Sequence, residues 1–254
     1  MLVEVIDTYE LMSQRAAEIV AEQVHRKPTS VIGFATGSTP KRLYELLIQE
    51  HDERGLDFSK VTTFNLDEYV GLPPKHDQSY HYYMWENLFN HIDVNPSNVN
   101  IPHGMADDID HFCAWYEEQI EAAGGIDLQI LGIGANGHLA FNEPGSSLGS
   151  RTRIKTLTEK TVKDNARFFD DPDMVPEYAI TMGIGTIMEA DRLLLVASGE
   201  RKAQAIRNTL EGPVTAMCPA TIVQLHQHSH IIIDKDAATA LDYHHHHGIA
   251  EPKE

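Results

Sequence analysis

The amino-acid sequence predicts an α/β fold with a mostly parallel sheet, and three observations carry that prediction. Short continuous apolar runs, such as Leu128-Gln129-Ile130-Leu131-Gly132-Ile133 and Leu193-Leu194-Leu195-Val196-Ala197, suit strands buried on both faces. Helix-length amphipathic segments lie between such runs, so strand and helix signals alternate. The chain has 254 residues, 42% of them hydrophobic, enough for a sizeable core and incompatible with a disordered tail or a small stapled scaffold.

In chain order, the apolar run Leu2–Ile6 reads as a short strand and Tyr9–Arg26 as an amphipathic helix with a core-facing stripe from Met12 to Val24. A strand is expected over 30–35. A helix is expected over 40–50, opened by Pro40 at the favoured first helical position. Strands at 61–66 and 128–133 are separated by helical stretches at 80–90 and 107–123. Strands at 192–197 and 230–234 follow, with a helix over 202–210 between them. No internal repeat and no Ser/Gly-rich linker divides the chain, so residues 1–254 read as one domain. The polar stretch 151–185 is an excursion or lid over the sheet, and 235–254 is a tail.

Asp and Glu number 38 against 20 Lys and Arg, a formal net charge of −18. Such a surface repels nucleic-acid phosphates and anionic membranes, whose affinity comes from cationic contacts. A small anion remains acceptable where a few cations and backbone N–H groups converge. Cys113 and Cys218 are too few for a disulfide framework or zinc ribbon and read as reduced thiols. The acidic start is unlike a signal peptide, and no apolar run reaches the roughly 20 residues of a membrane span, so a cytoplasmic protein is expected.

Ligands of open parallel sheets bind at the carboxyl ends of strands, and three segments there carry chemistry. Ala35-Thr36-Gly37-Ser38-Thr39-Pro40 offers small residues, hydroxyls and a helix start, the makings of a phosphate cradle. The loop alone fits an ordinary N-capped turn equally well. Asp67-Glu68 ends a strand, where adjacent acids point to opposite sides, one toward a site and one elsewhere. A carboxylate against an apolar strand end is tunable for general-base work, although Asp-Glu also commonly opens a helix. The segment from Gly132 to Pro144 contains G-x-G-x-x-G, but Asn142-Glu143-Pro144 interrupts the helix that a dinucleotide site requires. His138 with Glu143 suits acid/base chemistry better, and the Asn136 amide is able to fix a substrate hydroxyl.

Together the strings ATGSTP, TFNLDEY followed by GLP and SYHYYM, and LGIGANGHLAFNEP resemble the glucosamine-6-phosphate deaminase family, from the first strand to about Asp234. The resemblance implies a three-layer αβα Rossmann-like fold, no metal or organic cofactor, and conversion of glucosamine 6-phosphate to fructose 6-phosphate and ammonia. It assigns Asp67 as the base moving a proton from C2 to C1. His138 becomes the ring-opening acid/base, supported by Glu143 and Asn136. Many relatives have Asp at position 136, so the charge that Asp would lend His138 is missing here.

Substrate phosphate would rest on Gly37, Ser38, Thr39, Arg167 and Lys202. Ser146, Arg153 and Lys155 match a second phosphate site, between subunits, for the effector N-acetylglucosamine 6-phosphate. Only some members carry that site; a homo-oligomer is compatible with it, and the residues themselves leave the oligomeric state open. The stretch 151–185 behaves as a lid in this family.

Other features carry less. His226, His228 and His230 alternate and would share one face of an extended segment, as zinc ligands or, with better odds, as ordinary edge residues. His244 to His247 lie in the tail and carry no functional argument. Rival readings are a 6-phosphogluconolactonase or pentose-phosphate isomerase of the same fold, whose relatives lack the joined loop and Asp67 segment. A sugar-phosphate sensor of a transcription regulator would need a helix-turn-helix ahead of the first strand.

Overall fold

In the computed structural model, residues 1–158, 161–163, 169, 175–246 and 249–252 are described. Seven strands lie parallel in one sheet: β1 (Leu2–Ile6), β2 (Val31–Phe34), β3 (Thr62–Asn65), β5 (Val99–Asn100), β6 (Leu128–Leu131), β9 (Leu193–Ala197) and β10 (Ser229–Asp234). Their spatial order is β1-β10-β9-β6-β2-β3-β5. Every position of β2, β6 and β9 is buried, as a strand covered on both faces requires. Helices flank the sheet on both sides and complete the three-layer αβα arrangement.

Helix α1 (Tyr9–Arg26) starts where Thr8 Oγ1 accepts from the Leu11 N–H, and it buries Met12, Ala16, Ile19, Val20 and Val24 at helical spacing. Helix α2 (Lys41–Arg54) runs a turn beyond the expected end and stops at Gly55, whose φ of +71° is the left-handed C-cap glycine supplies. Helix α3 (Tyr80–Asn87) is followed by a 3₁₀ turn at Phe89–His91, and α4 (Ile109–Ala122) is capped by Asp108. Short α5 (Ile184–Met188) precedes β9, and α6 (Ala203–Glu211) lies between β9 and β10.

A second, three-stranded antiparallel sheet is built from β4 (Asp67–Tyr69), β7 (Arg153–Thr156) and β8 (Tyr178–Thr181), in the order β4-β8-β7. It draws two of its strands from the expected excursion and one from the residues just after β3. Beneath it Tyr69, Leu72, Phe141, Leu157, Phe169, Val175 and Ala179 form a small apolar cluster apart from the main core. The tail forms a hairpin of β11 (Tyr243–His246) and β12 (Ile249–Pro252).

The strand order creates a crevice. From β2 the chain proceeds through α2 to β3 on one side, then returns to β6 on the other side and continues to β9 and β10. Loops leaving β2 and β6 therefore part at the carboxyl edge of the sheet.

Candidate active site

The first contributor is the loop after β2. Gly37 has φ of +108°, a left-handed conformation that glycine adopts without strain, and Gly37 and Ser38 are exposed. Three tyrosine hydroxyls donate to carbonyls of this loop. Tyr44 binds Ala35 O, Tyr83 binds Gly37 O at 2.6 Å, and Tyr9 reaches Ser38 O at 3.2 Å and Thr39 O at 3.0 Å. These three lie on α2, α3 and α1 respectively, so the loop is gripped from three helices. No property of the tyrosines in sequence singles them out, beyond Tyr83 lying in the string SYHYYM.

The second contributor is Asp67, the first residue of β4. The residue is 6% exposed, and burial, with the neighbouring Glu68 charge, holds its carboxyl pKa well above the ordinary carboxylate range. Glu68 points the other way, as strand alternation demands. It accepts from the backbone N–H groups of Tyr69, Tyr80 and His81 at 2.8, 3.0 and 2.8 Å. Burial pushes Glu68 up to about 7 despite those donors. Tyr80 stands beside Asp67, Tyr69 and Thr36 and stacks on Phe141 with centroids 5.9 Å apart.

The third contributor is the loop after β6, which contains no helix, so the dinucleotide reading lacks its structural context. Gly134 is required there: a Cβ would lie 2.2 Å from His138 Cε1, so the imidazole packs directly on the backbone. The ring keeps its side chain 27% exposed, and its Nδ1 lies 3.7 Å from Glu143 Oε2, within ion-pair reach but too long for a hydrogen bond. Asn136 Nδ2 donates to the same carboxylate oxygen at 2.8 Å, and Asn136 Oδ1 accepts from the His138 N–H at 3.2 Å. The Thr161 hydroxyl binds Glu143 Oε1. These partners overcome burial and hold Glu143 at about 2, a carboxylate facing His138.

Strand β8 joins the second and third contributors. Thr181 pairs with Asp67 and its hydroxyl accepts from the Phe141 N–H at 3.1 Å. Asn142 Nδ2 donates to Met182 O at 2.8 Å, while the Met182 N–H reaches Leu66 O at 2.7 Å. Thr181 and Asn142 escaped the sequence reading because a buried hydroxyl or amide announces nothing until its partners are known.

Lys202 is half-buried in the 3₁₀ turn Glu200–Lys202 after β9. Asp234, at the end of β10, fixes that turn: it accepts from Ser198 Oγ, from the Gly199 N–H at 3.0 Å and from the Ala237 N–H at 2.8 Å. Arg167 lies outside the described residues. Ser146 is buried in the turn after Glu143, its N–H on Glu143 O at 2.9 Å. Arg153 and Lys155 share one face of β7, and among the described residues no hydrogen bond or ion pair joins Ser146 to either. Arg151 is committed to Glu117 and Glu189, at 2.7 and 2.6 Å.

His226 Nε2 meets Ala190 O at 2.8 Å and His230 Nε2 meets Glu4 Oε1 at 2.7 Å, so these rings serve separate partners. Among the described residues no three His, Cys, Asp or Glu groups converge as a metal site. Both cysteines are buried and free. Among the described residues no helix is long and apolar enough to cross a membrane.

With this geometry in place, comparison with known proteins is specific. Residues 7–232 match the family described as glucosamine-6-phosphate isomerases/6-phosphogluconolactonase. The chain is 54% identical over 233 residues to a glucosamine-6-phosphate deaminase of Thermoanaerobacter sp., covering 92% of each chain. It is 52% identical over 241 residues to one from Halothermothrix orenii, covering 95% of this chain and 100% of the relative. A solved structure of a monomeric glucosamine-6-phosphate deaminase superposes with a TM-score of 0.93 at 47% identity, covering 94% of this chain and 100% of that one. The chain therefore belongs to the glucosamine-6-phosphate isomerase/6-phosphogluconolactonase family.

Proposed function

We propose that this chain is an isomerising deaminase that converts glucosamine 6-phosphate and water into fructose 6-phosphate and ammonia. The observation that carries the reading is a buried high-pKa carboxyl at Asp67 linked through β8, whose Thr181 pairs with Asp67 and accepts from the Phe141 N–H, to the loop where His138 is backed by an ionised Glu143. Proton abstraction next to a carbonyl needs an open-chain sugar, hence one group to open the ring and another to move the proton.

In this reading His138, held by Asn136 and Glu143, shuttles the proton between the ring oxygen and the C1 hydroxyl as the pyranose opens. Asp67 then takes the C2 proton, leaving an enolamine, and returns it to C1. The product is an imine at C2. Water adds there and ammonia departs, leaving the ketone, so atoms balance without a redox partner. Burial suits Asp67 to this task, because a desolvated carboxylate is a stronger base. The loop of Gly37, Ser38 and Thr39, with Lys202 and Arg167, holds the 6-phosphate. The stretch 151–185 acts as a lid that keeps water from the enolamine.

The same reading takes residues 1–254 as one domain working in the cytoplasm. Ser146, Arg153 and Lys155 are assigned to an effector site for N-acetylglucosamine 6-phosphate, of the kind that some family members carry between subunits. Hyperbolic kinetics unaffected by that sugar phosphate would remove the effector site. The core reaction is tested by assaying ammonia and fructose 6-phosphate with wild type, Asp67→Asn and His138→Gln. Both variants are expected to lose at least about a hundredfold in kcat. A wild type that releases no ammonia, or an Asp67→Asn enzyme with full activity, overturns the mechanism.

A further inference from the structure

We infer that α3 is a strut that sets the phosphate loop against the strand carrying Asp67, with Glu68 and Tyr83 as its two positioning residues. The inference rests on the functional reading above and names residues to which that reading gives no role.

One end of the strut is Glu68, 2% exposed and adjacent to Asp67 in β4. Its two oxygens take the N–H groups of Tyr80 and His81, the first two residues of α3. Ser79 Oγ takes the Tyr82 N–H at 3.0 Å. Three amides of the first helical turn are thereby tied to β4 or to the cap. At the other end, one turn along, the Tyr83 hydroxyl donates to Gly37 O at 2.6 Å. A continuous path of backbone and hydrogen bonds thus joins the proposed base to the proposed phosphate cradle.

The chemistry gives such a path a purpose. The proton moves between C2 and C1, while the phosphate that anchors the sugar is on C6, so base and cradle must keep a fixed separation. A displacement of about 1 Å costs on the order of a hundredfold in rate. A carbonyl held by a hydroxyl cannot turn its oxygen toward an anion, which preserves the peptide planes that a backbone N–H site depends on. Tyr83 does this at Gly37, where the permissive backbone of glycine would otherwise let the peptide rotate.

The test reads inorganic phosphate affinity by calorimetry and turnover by ammonia release, in wild type, Tyr83→Phe, Glu68→Gln and the double variant. Tyr83→Phe is expected to weaken phosphate binding and raise KM about fivefold, the worth of one hydrogen bond, and to lower kcat. Glu68→Gln is expected to weaken phosphate binding although Glu68 does not touch the loop, and to lower kcat as well. Because both substitutions break one strut, the double variant should bind phosphate no more weakly than the weaker single variant. Unchanged affinity in Tyr83→Phe, or losses that simply add, overturns the strut. Should Glu68→Gln fail to fold, Ser79→Ala loosens the same helix end and replaces it in the cycle. A wild type that releases no ammonia while the phosphate losses stay non-additive leaves the strut standing and removes the deaminase. A wild type that binds no phosphate removes the strut together with the cradle.

Discussion

In the proposed mechanism Asp67 sets function against stability at the scale of one residue. Its folded pKa lies well above the unfolded value, so below about pH 4 the carboxyl is protonated in both states and costs nothing. As pH rises above that, the unfolded chain ionises freely while the folded one resists, and stability is lost. Asp67→Asn should therefore raise Tm by a few degrees at pH 7 while abolishing turnover, with the gain vanishing toward pH 4 in a melting series. Asn136 makes a different trade. Its amide donates to Glu143 where a carboxylate would repel it. Asn136→Asp should raise the pKa of Glu143, because a second acid beside it disfavours its ionised form, and move the acid limb of the kcat/KM profile upward by about one pH unit. A profile that does not move would mean that this amide leaves the charge state of the pair untouched.

Elements differ in how plainly the sequence announces them. The central strands were legible because burial on both faces leaves continuous apolar runs, and β1 and α1 match their expected limits residue for residue. Strands β4, β7 and β8 were not, because three or four residues are too few for such a run, and β4, although buried throughout, carries Asp67 and Glu68. In β7 burial alternates along Arg-Ile-Lys-Thr, with the cations partly covered and Ile154 exposed. Two-residue β5 and five-residue α5 fall below any periodic signal. At the candidate site, the Asp67-Glu68 pair and the loop of Asn136, His138 and Glu143 stood out in the sequence by type and spacing, while the choice of Asp67 as the base rested on the family resemblance. Asp234 was not, because its work is done on a neighbouring strand's loop. Asp234→Ala should free the turn that carries Lys202, weakening inorganic phosphate binding about tenfold and lowering Tm by several degrees. Equal phosphate affinity in calorimetry would detach Asp234 from the cradle.

For the whole molecule, a net charge of −18 sets a long-range field that opposes the anionic substrate of the proposed reaction, which in that reading a few local cations capture. Added salt screens the distant repulsion first, since the Debye length falls to about 10 Å at 0.1 M. Between 10 and 100 mM of a salt that does not compete for the site, kcat/KM should rise about twofold, the reverse of the trend for a basic phosphate-binding surface. A monotonic fall would show that the local cations dominate at every distance. The sheet adds a constraint of another kind. β1 pairs with β10 from Leu2↔His230 to Ile6↔Asp234, so β1 leaves the ribosome long before β10, its sheet partner among the described residues, exists. During synthesis β1 has no place to dock, and β9 keeps an open edge until residue 229 emerges. Completion of the sheet is thereby deferred until β10 is made, and until then an unpaired strand edge is open to wrong pairings.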